Sequence, residues 1–404
     1  MGSRTRWAVA ALLALVGCGQ ARGAGDRADA VLFLRSGNDV AVVDAGSGSP
    51  SFSGRATPSG DWSFVVRSVI HRGTTSLVGS DPRSGAELWR QDVGGRLVVK
   101  LASAASETVV LAPASQTHFN SGRRQTRLVI AGPGREEPRA LILEGNFEPE
   151  AVSVDGSTLF VIRYLPALRP NRYQVRQVDI ASGDVGAVYT PDAELQQSMG
   201  GKARVQVASA DGTRLYTLYT LEEGHSEHAF IHTLALDELW AHCIDLPAGF
   251  TTDARTATGL ALSPSGDRLY VANSSIGRLA EVDTRTLRVI RTAPLDIEHF
   301  GPTTAVHDGD STLYVTSGSA VVTVDLESLT QTDSWLLDDE IRGLQVAAEA
   351  GRVYVGHRDE IAVLEAGTGE ELDSIDPPGV ETIGELGPVF PEVDPGQEVL
   401  DCAC

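Results

Sequence analysis

The chain has 404 residues, and 54 acidic against 33 basic side chains give it a formal net charge of −21. Affinity for phosphate backbones comes from clustered lysine and arginine, so this charge balance argues against a nucleic-acid partner. Hydrophobic residues make up 42% and charged residues 22%, which excludes a wholly disordered chain. The 42 Gly and 19 Pro, among many Val, Thr and Ser, predict a turn-rich and β-rich protein.

The N-terminus has the order of an export signal. Arg4 and Arg6 precede an apolar run over 7–16, and small residues then lead to Cys18. This order is typical of a secretory signal peptide, and the run is shorter than the roughly 20 apolar residues that span a bilayer. The sequence Leu-Val-Gly-Cys that ends at Cys18 resembles the bacterial lipobox, which implies a diacylglycerated cysteine as the mature first residue.

These features predict where in the cell the protein is located. We expect a lipoprotein signal peptide over 1–17, a flexible tether over 18–30, and an extracytoplasmic protein anchored to a bacterial membrane through lipid on Cys18. An ordinary signal peptide with a chance cysteine is the alternative. Gly19 is not the Asp that resembles an inner-membrane retention signal, and the choice between inner and outer membrane stays open.

A short stretch of β-branched and aromatic residues recurs eight times along the rest of the chain. The intervals between successive central positions run from 32 residues (33 to 65) to 56 residues (160 to 216). Repeats of roughly 40–50 residues are typical of β-propeller blades. The central positions are residues 33, 65, 110, 160, 216, 270, 314 and 354.

A second element recurs after these stretches: a strand that ends in an acid, followed three residues later by Ser or Thr. Such side chains bond the N–H groups of a turn, which explains the acids without catalysis. Six pairs have this form: Asp44/Ser47, Asp81/Ser84, Asp179/Ser182, Asp283/Thr286, Asp325/Ser328 and Glu365/Thr368.

The segment Leu260-Ala-Leu-Ser-Pro-Ser-Gly-Asp-Arg-Leu-Tyr-Val-Ala-Asn273, followed by Val282-Asp283, resembles the YVTN/WD40-like repeats of bacterial surface proteins. The similarity covers about residues 31–380, although the His and Trp-Asp pairs of true WD40 repeats are absent. It implies an all-β protein, a β-propeller of seven or eight four-stranded blades over 31–390 closed by N- and C-terminal strands, with a tail over 391–404. A pair of β-sandwiches is the weaker alternative.

Few motifs point to chemistry. The Gly-x-Ser-x-Gly elbow of serine hydrolases does not occur in the sequence. Imidazoles and nearby carboxylates suit zinc, so the strongest metal candidate is the group His225, His228 and His232. A solvated loop entering a strand is the alternative for this group, and no cofactor is predicted.

Cysteine use is sparse. An oxidising compartment permits disulfides, and a bond from Cys243 to Cys402 or Cys404 would hold the tail against the ring. A bond between Cys402 and Cys404 would close a small and strained ring. Free thiols or pairing between molecules are the other outcomes.

Arginines are enriched in the predicted B–C connections, which share one face of a propeller with the D–A connections. Arg forms planar two-point contacts with carboxylate or phosphate, so we predict a face that binds an anion or an acidic partner, centred on units three and four. Chance enrichment of solubilising arginines is the alternative. The predicted residues are Arg123, Arg124, Arg163, Tyr164, Arg169, Arg172 and Tyr173.

The leading functional prediction is a non-catalytic, lipid-anchored binding or interaction scaffold at the cell surface. Its expected partners are the membrane, through the anchor, and a surface protein or an anionic ligand. An extracytoplasmic enzyme resembling lactonase-type propellers, with its site at the channel mouth, is the main alternative, because residues from different blades leave no local motif. A subunit that organises a larger membrane assembly is a third. The sequence assigns no catalytic residue.

Overall fold

The chain forms an eight-bladed β-propeller. The computed structural model describes residues 31–37, 39–103, 105–190, 200–220, 229–250, 257–297, 301–380 and 382–387. Every strand within these ranges belongs to one of eight four-stranded antiparallel sheets. The first strands of neighbouring sheets contact one another, so each sheet is a blade whose first strand faces a central channel.

The N-terminal half of the chain builds four blades, and the first of them includes the last strand of the protein. Blade 1 contains β1 (Val31–Ser36), β2 (Asp39–Asp44), β3 (Pro50–Arg55) and β32 (Glu385–Leu386). Blade 2 contains β4 (Thr57–Pro58), β5 (Val65–His71), β6 (Thr74–Ser80) and β7 (Glu87–Asp92). Blade 3 contains β8 (Leu97–Ser103), β9 (Thr108–Pro113), β10 (Gln125–Ala131) and β11 (Arg139–Glu144). Blade 4 contains β12 (Asn146–Val152), β13 (Thr158–Leu165), β14 (Arg172–Asp179) and β15 (Val185–Ala187).

The C-terminal half builds the other four blades. Blade 5 contains β16 (Lys202–Ala208), β17 (Arg214–Thr220), β18 (Ala229–Ala235) and β19 (Trp240–Asp245). Blade 6 contains β20 (Thr258–Leu262), β21 (Arg268–Asn273), β22 (Arg278–Asp283) and β23 (Arg288–Pro294). Blade 7 contains β24 (Ala305–His307), β25 (Thr312–Ser317), β26 (Ala320–Asp325) and β27 (Thr330–Leu336). Blade 8 contains β28 (Leu344–Ala347), β29 (Arg352–Gly356), β30 (Ile361–Glu365) and β31 (Glu371–Ile375). Short 3-10 turns cover Phe119–Ser121, Ser274–Ile276 and Ala348–Ala350.

The recurring apolar stretches of the sequence are the second strands of the blades. In β21 and β22 nearly every residue is buried, whereas the outermost strand β23 alternates between exposed and partly buried residues. Strands covered on both faces need continuous apolar runs, whereas edge strands need only one apolar face. The repeat pattern in the sequence therefore records the position of each strand within its blade.

The hydrophobic core lies between blades rather than at one centre. Val40, Val42 and Phe52 of blade 1 pack against Trp62 and Val65 of blade 2, and the other neighbouring blades form equivalent clusters. Burying one such aliphatic side chain contributes about 1.5–3 kcal/mol. Each blade is thus held by its two neighbours.

The C-terminal strand closes the ring. Leu386 of β32 pairs with Leu34 of β1, and Leu386 is also buried in the core between blades 8 and 1. Because β32 has only two residues, part of the edge of β1 is left without a strand partner. The side chain of Gln345 fills this gap: its amide donates to Val31 O at 2.6 Å and its carbonyl accepts from Phe33 N at 3.2 Å.

The turns predicted from an acid and a hydroxyl residue three positions apart are confirmed in all six pairs. Asp283, for example, accepts hydrogen bonds from the N–H groups of Arg285 at 3.0 Å and Thr286 at 2.9 Å. These bonds hold the pKa of the Asp283 carboxyl below its usual value, the bond from Thr286 contributing most. The other five acids bond the Ser or Thr three residues on: Asp44, Asp81, Asp179, Asp325 and Glu365.

Among the residues that the structure describes, no helix has the length and apolar character needed to cross a membrane. Cys18 and the rest of the N-terminal 30 residues lie outside the described ranges.

Candidate functional site at the channel mouth

A cavity of about 490 Å³ opens at the end of the central channel where the B–C and D–A connections meet. The residues that line the cavity show where it lies in the propeller. Gly37 lies in the β1–β2 connection, Ala56 lies between β3 and β4, and Phe119 lies in the β9–β10 connection. We call this cavity the channel mouth. Its charged and aromatic lining residues are Arg35, Arg55, Lys100, Glu148, Glu150, Phe119, Tyr164 and Tyr219.

A second cavity, of about 520 Å³, lies along the inner strands of blades 5 to 8 and along β32, and it reaches the A–B turns. Its lining is mostly small or aliphatic residues, with Arg204, His307 and Glu385 among them. The channel mouth differs in having Phe and Tyr rings and two buried polar atoms, Arg35 Nε and Ser68 Oγ, that lack a hydrogen-bond partner in the described structure, which makes the mouth the stronger candidate for a binding site.

Irregular pairing of the inner strands shapes the mouth. The register between first and second strands shifts in three consecutive blades, and the extra, bulged residues are Lys100, Glu150 and Arg204. Such β-bulges redirect a side chain and are common beside functional sites. All three bulged residues are ionisable, and Lys100 and Glu150 line the channel mouth.

Glu148 is the centre of an ion-pair network on the wall formed by blades 3 and 4. Arg123 Nη2 lies 2.6 Å from Glu148 Oε1, and Lys100 Nζ lies 3.4 Å from Glu148 Oε2. Arg123 is buried and also donates to Thr126 Oγ1 at 3.0 Å and to Thr117 O at 2.9 Å. Both oxygens of Glu148 therefore have cationic partners, and Arg123 ties the β9–β10 connection to blade 4.

Glu150 has a different environment from Glu148. Its Oε1 accepts a hydrogen bond from Gln206 Nε2 at 2.9 Å. Burial against the channel wall raises the pKa of Glu150 to about 7, and the bond from Gln206 acts in the opposite direction. Burial raises the pKa of Tyr219 well above its usual value, and the charge of Glu150 adds to this effect. The channel mouth thus holds a carboxyl group that changes its charge near neutral pH.

A buried row of aromatic rings lies beneath the rim of blades 3 to 5. Phe119 stacks on Tyr164 with ring centroids 4.4 Å apart, and Tyr173 stacks on Tyr219 at 5.5 Å. Tyr219 in turn stacks on Phe230 at 5.3 Å. Phe119, Tyr164 and Tyr219 also line the channel mouth, although each is at most 2% exposed because the rings stack on one another. The row therefore gives one wall of the cavity an apolar lining of closely packed rings.

The opposite side of the mouth carries polar groups without partners. The Nε of Arg35 and the Oγ of Ser68 are buried and make no hydrogen bond within the described structure. Ser68 reaches the channel because the inner strand β4 pairs only with Val65 and Val66, which leaves the end of β5 uncovered. Blades 1 and 2 therefore present a cation and a hydroxyl to the same cavity.

The structure separates the seven residues predicted to form a binding face. Arg124, Arg169 and Arg172 are exposed on the rim. Three others are buried: Arg123 in the Glu148 network, and Tyr164 and Tyr173 in the aromatic row. The hydroxyl of Tyr173 donates to Gly200 O at 3.1 Å. The seven side chains do not form one exposed face, and ligand binding at the rim remains a prediction for the exposed arginines.

Arg163, the seventh member of the set, is partly buried. Its guanidinium lies 5.8 Å from the centroid of the Phe147 ring, and its Nε is buried without a hydrogen-bond acceptor in the described structure. Burial is also the main cause of the lowered pKa of Arg176, and the charge of Arg163 adds to it. Arg163 thus lies with another cation between blades 3 and 4, away from the lining of the mouth.

The predicted metal group is only partly described. His232 is buried in β18, where burial lowers the pKa of its imidazole to about 4 and nearby His242 adds to the shift. His225 and His228 lie outside the described residues. In the part of the chain that the structure describes, no three His, Cys, Asp or Glu side chains are grouped so that they can hold a metal ion.

Cys243 is half-buried in β19, directly opposite His232 of β18. Its predicted disulfide partners, Cys402 and Cys404, lie outside the described residues, so the predicted pairing remains a prediction.

Sequence reasoning missed most of the mouth. Lys100, Ser68 and the pair Glu148 and Glu150 come from three different blades, and nothing in the local sequence marks the three sites as neighbours. The segment Glu148-Pro-Glu150, with two acids inside a strand, is the one signal in the sequence that could have indicated this wall of the mouth. No sequence feature distinguishes Arg35 from the other arginines.

The fold defines the class of this protein as an eight-bladed β-propeller, and solved structures share it. Apo AztD from Citrobacter koseri matches with a TM-score of 0.56 at 14% identity, over 88% of this chain and 96% of that chain. A second AztD structure from Citrobacter koseri matches with a TM-score of 0.55 at 12% identity and the same coverage of both chains. At these identities the likeness concerns the fold alone.

Another propeller structure is the dihydro-heme d1 dehydrogenase NirN in complex with DHE. It matches with a TM-score of 0.51 at 12% identity, over 88% of this chain and 74% of that chain. No protein-family model matches the sequence, and no curated protein matches it. These comparisons therefore support the propeller fold that the resemblance to YVTN/WD40-like repeats implied, and they do not assign the chain to that family.

Proposed function

We propose that this protein is an exported, lipid-anchored β-propeller that binds a small molecule at the channel mouth without transforming it. The observation that supports this proposal is the mouth itself. A cavity of about 490 Å³ lies within the range of small-molecule sites, and it combines an aromatic wall with two polar atoms, Arg35 Nε and Ser68 Oγ, that have no hydrogen-bond partner among the described residues. The lipobox-like ending at Cys18 supports the export and the anchor.

One observation favours the alternative of a propeller enzyme at the same site. A carboxyl group with a pKa near the working pH is suited to general acid–base catalysis, and Glu150 has such a pKa. Glu148, which pairs with Arg123 and Lys100, lies two residues away on the same strand. The two functions share a binding site and differ in what happens to the ligand.

The test of binding is to block the mouth. Val98 lines it on β8 and is 39% exposed, so Val98→Trp places an indole in the cavity. Ile142 of the same blade is 60% exposed on the outermost strand β11, and Ile142→Trp is the matched control. Solubilised mature protein is incubated with an extract of the host's extracytoplasmic fraction, and retained compounds are identified by mass spectrometry.

We expect the wild type and Ile142→Trp to retain the same compound, unchanged in mass, and Val98→Trp to lose it. Conversion of the compound to a product of different mass, abolished by Val98→Trp, would establish the enzyme instead. Equal retention by all three proteins, or by none, would contradict a ligand site at the mouth.

A further inference from the structure

The charges at the channel mouth do not balance within the protein. Glu148 is shared between Arg123 and Lys100, and Glu150 accepts its hydrogen bond from the neutral Gln206. Arg35 and Arg55, on the blade 1 side, make no ion pair or side-chain hydrogen bond with any residue that the structure describes. The mouth of a strongly acidic protein thus contains an excess of positive charge.

Arg35 in particular is not a solvated surface arginine. Its Nε is buried without an acceptor, and beside it the Oγ of Ser68 is another buried polar atom that lines the cavity without a partner. A buried donor without an acceptor costs about 1–3 kcal/mol, and more when the group is charged. A ligand that supplies an acceptor would remove this cost.

From this arrangement, and on the basis of the proposed binding function, we infer that the channel mouth binds a small organic anion. Its carboxylate or phosphate lies against Arg35 and Ser68, and an apolar body lies against the Phe119, Tyr164 and Tyr219 wall. A guanidinium offers parallel N–H donors to such a group, and a hydroxyl adds a third donor. Contact between the apolar body and this wall removes apolar surface from water and adds affinity.

The position of the acids sets the orientation of the ligand. On the blade 3 and 4 side, Glu148 already pairs with the cations Lys100 and Arg123, and Glu150 repels an anionic group when it is ionised. The anionic group therefore lies on the blade 1 and 2 side. Since protonation of Glu150 removes a negative charge from the mouth, affinity for the anion rises as the pH falls below about 7.

The experiment is isothermal titration calorimetry on the solubilised mature protein with four probes: phenyl phosphate, benzoate, inorganic phosphate and the neutral benzyl alcohol. Arg35→Gln removes the proposed contact. Arg83→Gln makes the same change of net charge in the exposed β6–β7 turn on the opposite face and is the matched control. Ser68→Ala tests the site with little risk to folding, and circular dichroism checks all variants.

We expect an aromatic anion to bind the wild type, with at least about tenfold weaker binding to Arg35→Gln and less than about twofold change in Arg83→Gln. Ser68→Ala is expected to weaken binding in the same direction. Preference for phenyl phosphate identifies a phosphate ligand, and preference for benzoate identifies a carboxylate. Weaker binding of inorganic phosphate than of phenyl phosphate supports the aromatic wall.

Equal binding of benzyl alcohol and the anions, or equal effects of Arg35→Gln and Arg83→Gln, would overturn the inference. If no probe binds the wild type while the extract compound is still retained by a mechanism sensitive to Val98→Trp, the anion class is wrong and the binding function stands. If both experiments are negative, the binding function at the mouth is wrong as well.

Discussion

The two glutamates of the channel mouth, Glu148 and Glu150, differ in the groups that contact their carboxylates. Glu148 and Glu150 are two positions apart in β12, yet only Glu148 has cationic partners. Glu150 sits at the bulge and has one neutral donor, so burial dominates and raises its pKa to about 7. The same residue type thus serves as an ion-pair partner at one position and as a buried group with a raised pKa at the other.

This difference predicts that the contribution of Glu150 to the free energy of unfolding depends on pH. Between the unfolded pKa near 4.5 and the folded pKa of about 7, the folded protein holds a proton that the unfolded chain has lost. The contribution of Glu150 to stability is therefore present at pH 4 and is lost as the pH rises to 7. The loss amounts to about 1–3 kcal/mol, since partial exposure screens the charge.

Glu150→Gln keeps an acceptor for Gln206 and cannot ionise, so it should be more stable than the wild type at pH 8 and equally stable near pH 4. Urea unfolding across this pH range measures the difference. Glu144→Gln is the exposed control, because Glu144 also accepts a hydrogen bond from a glutamine, Gln125, at 2.9 Å. The same pH profile for both variants would contradict the role of burial at Glu150.

At the scale of elements, the two-residue strand β32 is important for closing the ring. With only Glu385 and Leu386, β32 supplies blade 1 with its inner strand, and Gln345 of β28 completes the uncovered edge of β1. The side chain of Gln345 thus makes hydrogen bonds to the edge of β1 where β32 has no residue. An unpaired strand edge costs hydrogen bonds and offers a site for aggregation.

Gln345→Leu should therefore destabilise the protein by about 1–3 kcal/mol, because Val31 O and Phe33 N lose their partner in a half-buried position. The midpoint of urea unfolding measures the effect. The control is Gln331→Leu, which removes a comparable bond to Asp296 N, at 2.8 Å, in an exposed position, and we expect a smaller change. Equal changes in the two variants would show that Gln345 does not support ring closure.

At the scale of the whole molecule, the ring presents two faces of different chemistry. The A–B turns carry Asp155, Asp211 and Asp267, whose pKa values are held low by hydrogen bonds from neighbouring Ser or Thr groups. The opposite face carries the channel mouth and the exposed Arg124, Arg169 and Arg172. An anionic ligand would thus be repelled by one face and attracted to the other.

The proposed export and membrane anchoring of this protein depend on the N-terminus. We expect globomycin to leave an unprocessed precursor that carries its lipid, and Cys18→Ser to leave an unprocessed precursor without lipid, because the lipid is attached at Cys18 before cleavage. Membrane fractionation and mass spectrometry of the mature N-terminus measure this, with Cys243→Ser as the control that keeps the lipobox-like ending. A wild-type protein with an unmodified mature N-terminus would contradict the anchor.

The sequence by itself determined the features that depend on short-range interactions. The second strands of the blades and the acid–hydroxyl turns are set by neighbouring residues, as in Asp283 with Thr286, and so they could be read in order along the chain. Closure of a ring by both termini was also predictable, because unit one lacks an inner strand of its own. The choice between seven and eight blades was not, since it depended on whether a distant segment would complete blade 1.

Only the tertiary structure decided the candidate site. Gln345 and Val31 are joined across 314 positions, and the residues of the mouth come from separate blades, so no local pattern relates them. The bulges that turn Lys100 and Glu150 toward the channel arise from pairing with β9 and β13. Burial of Arg123, Tyr164 and Tyr173 likewise reflects packing between blades. Charge, burial and the pKa of Glu150 depend on groups brought together by ring closure, which is why the sequence predicted the scaffold and not the site.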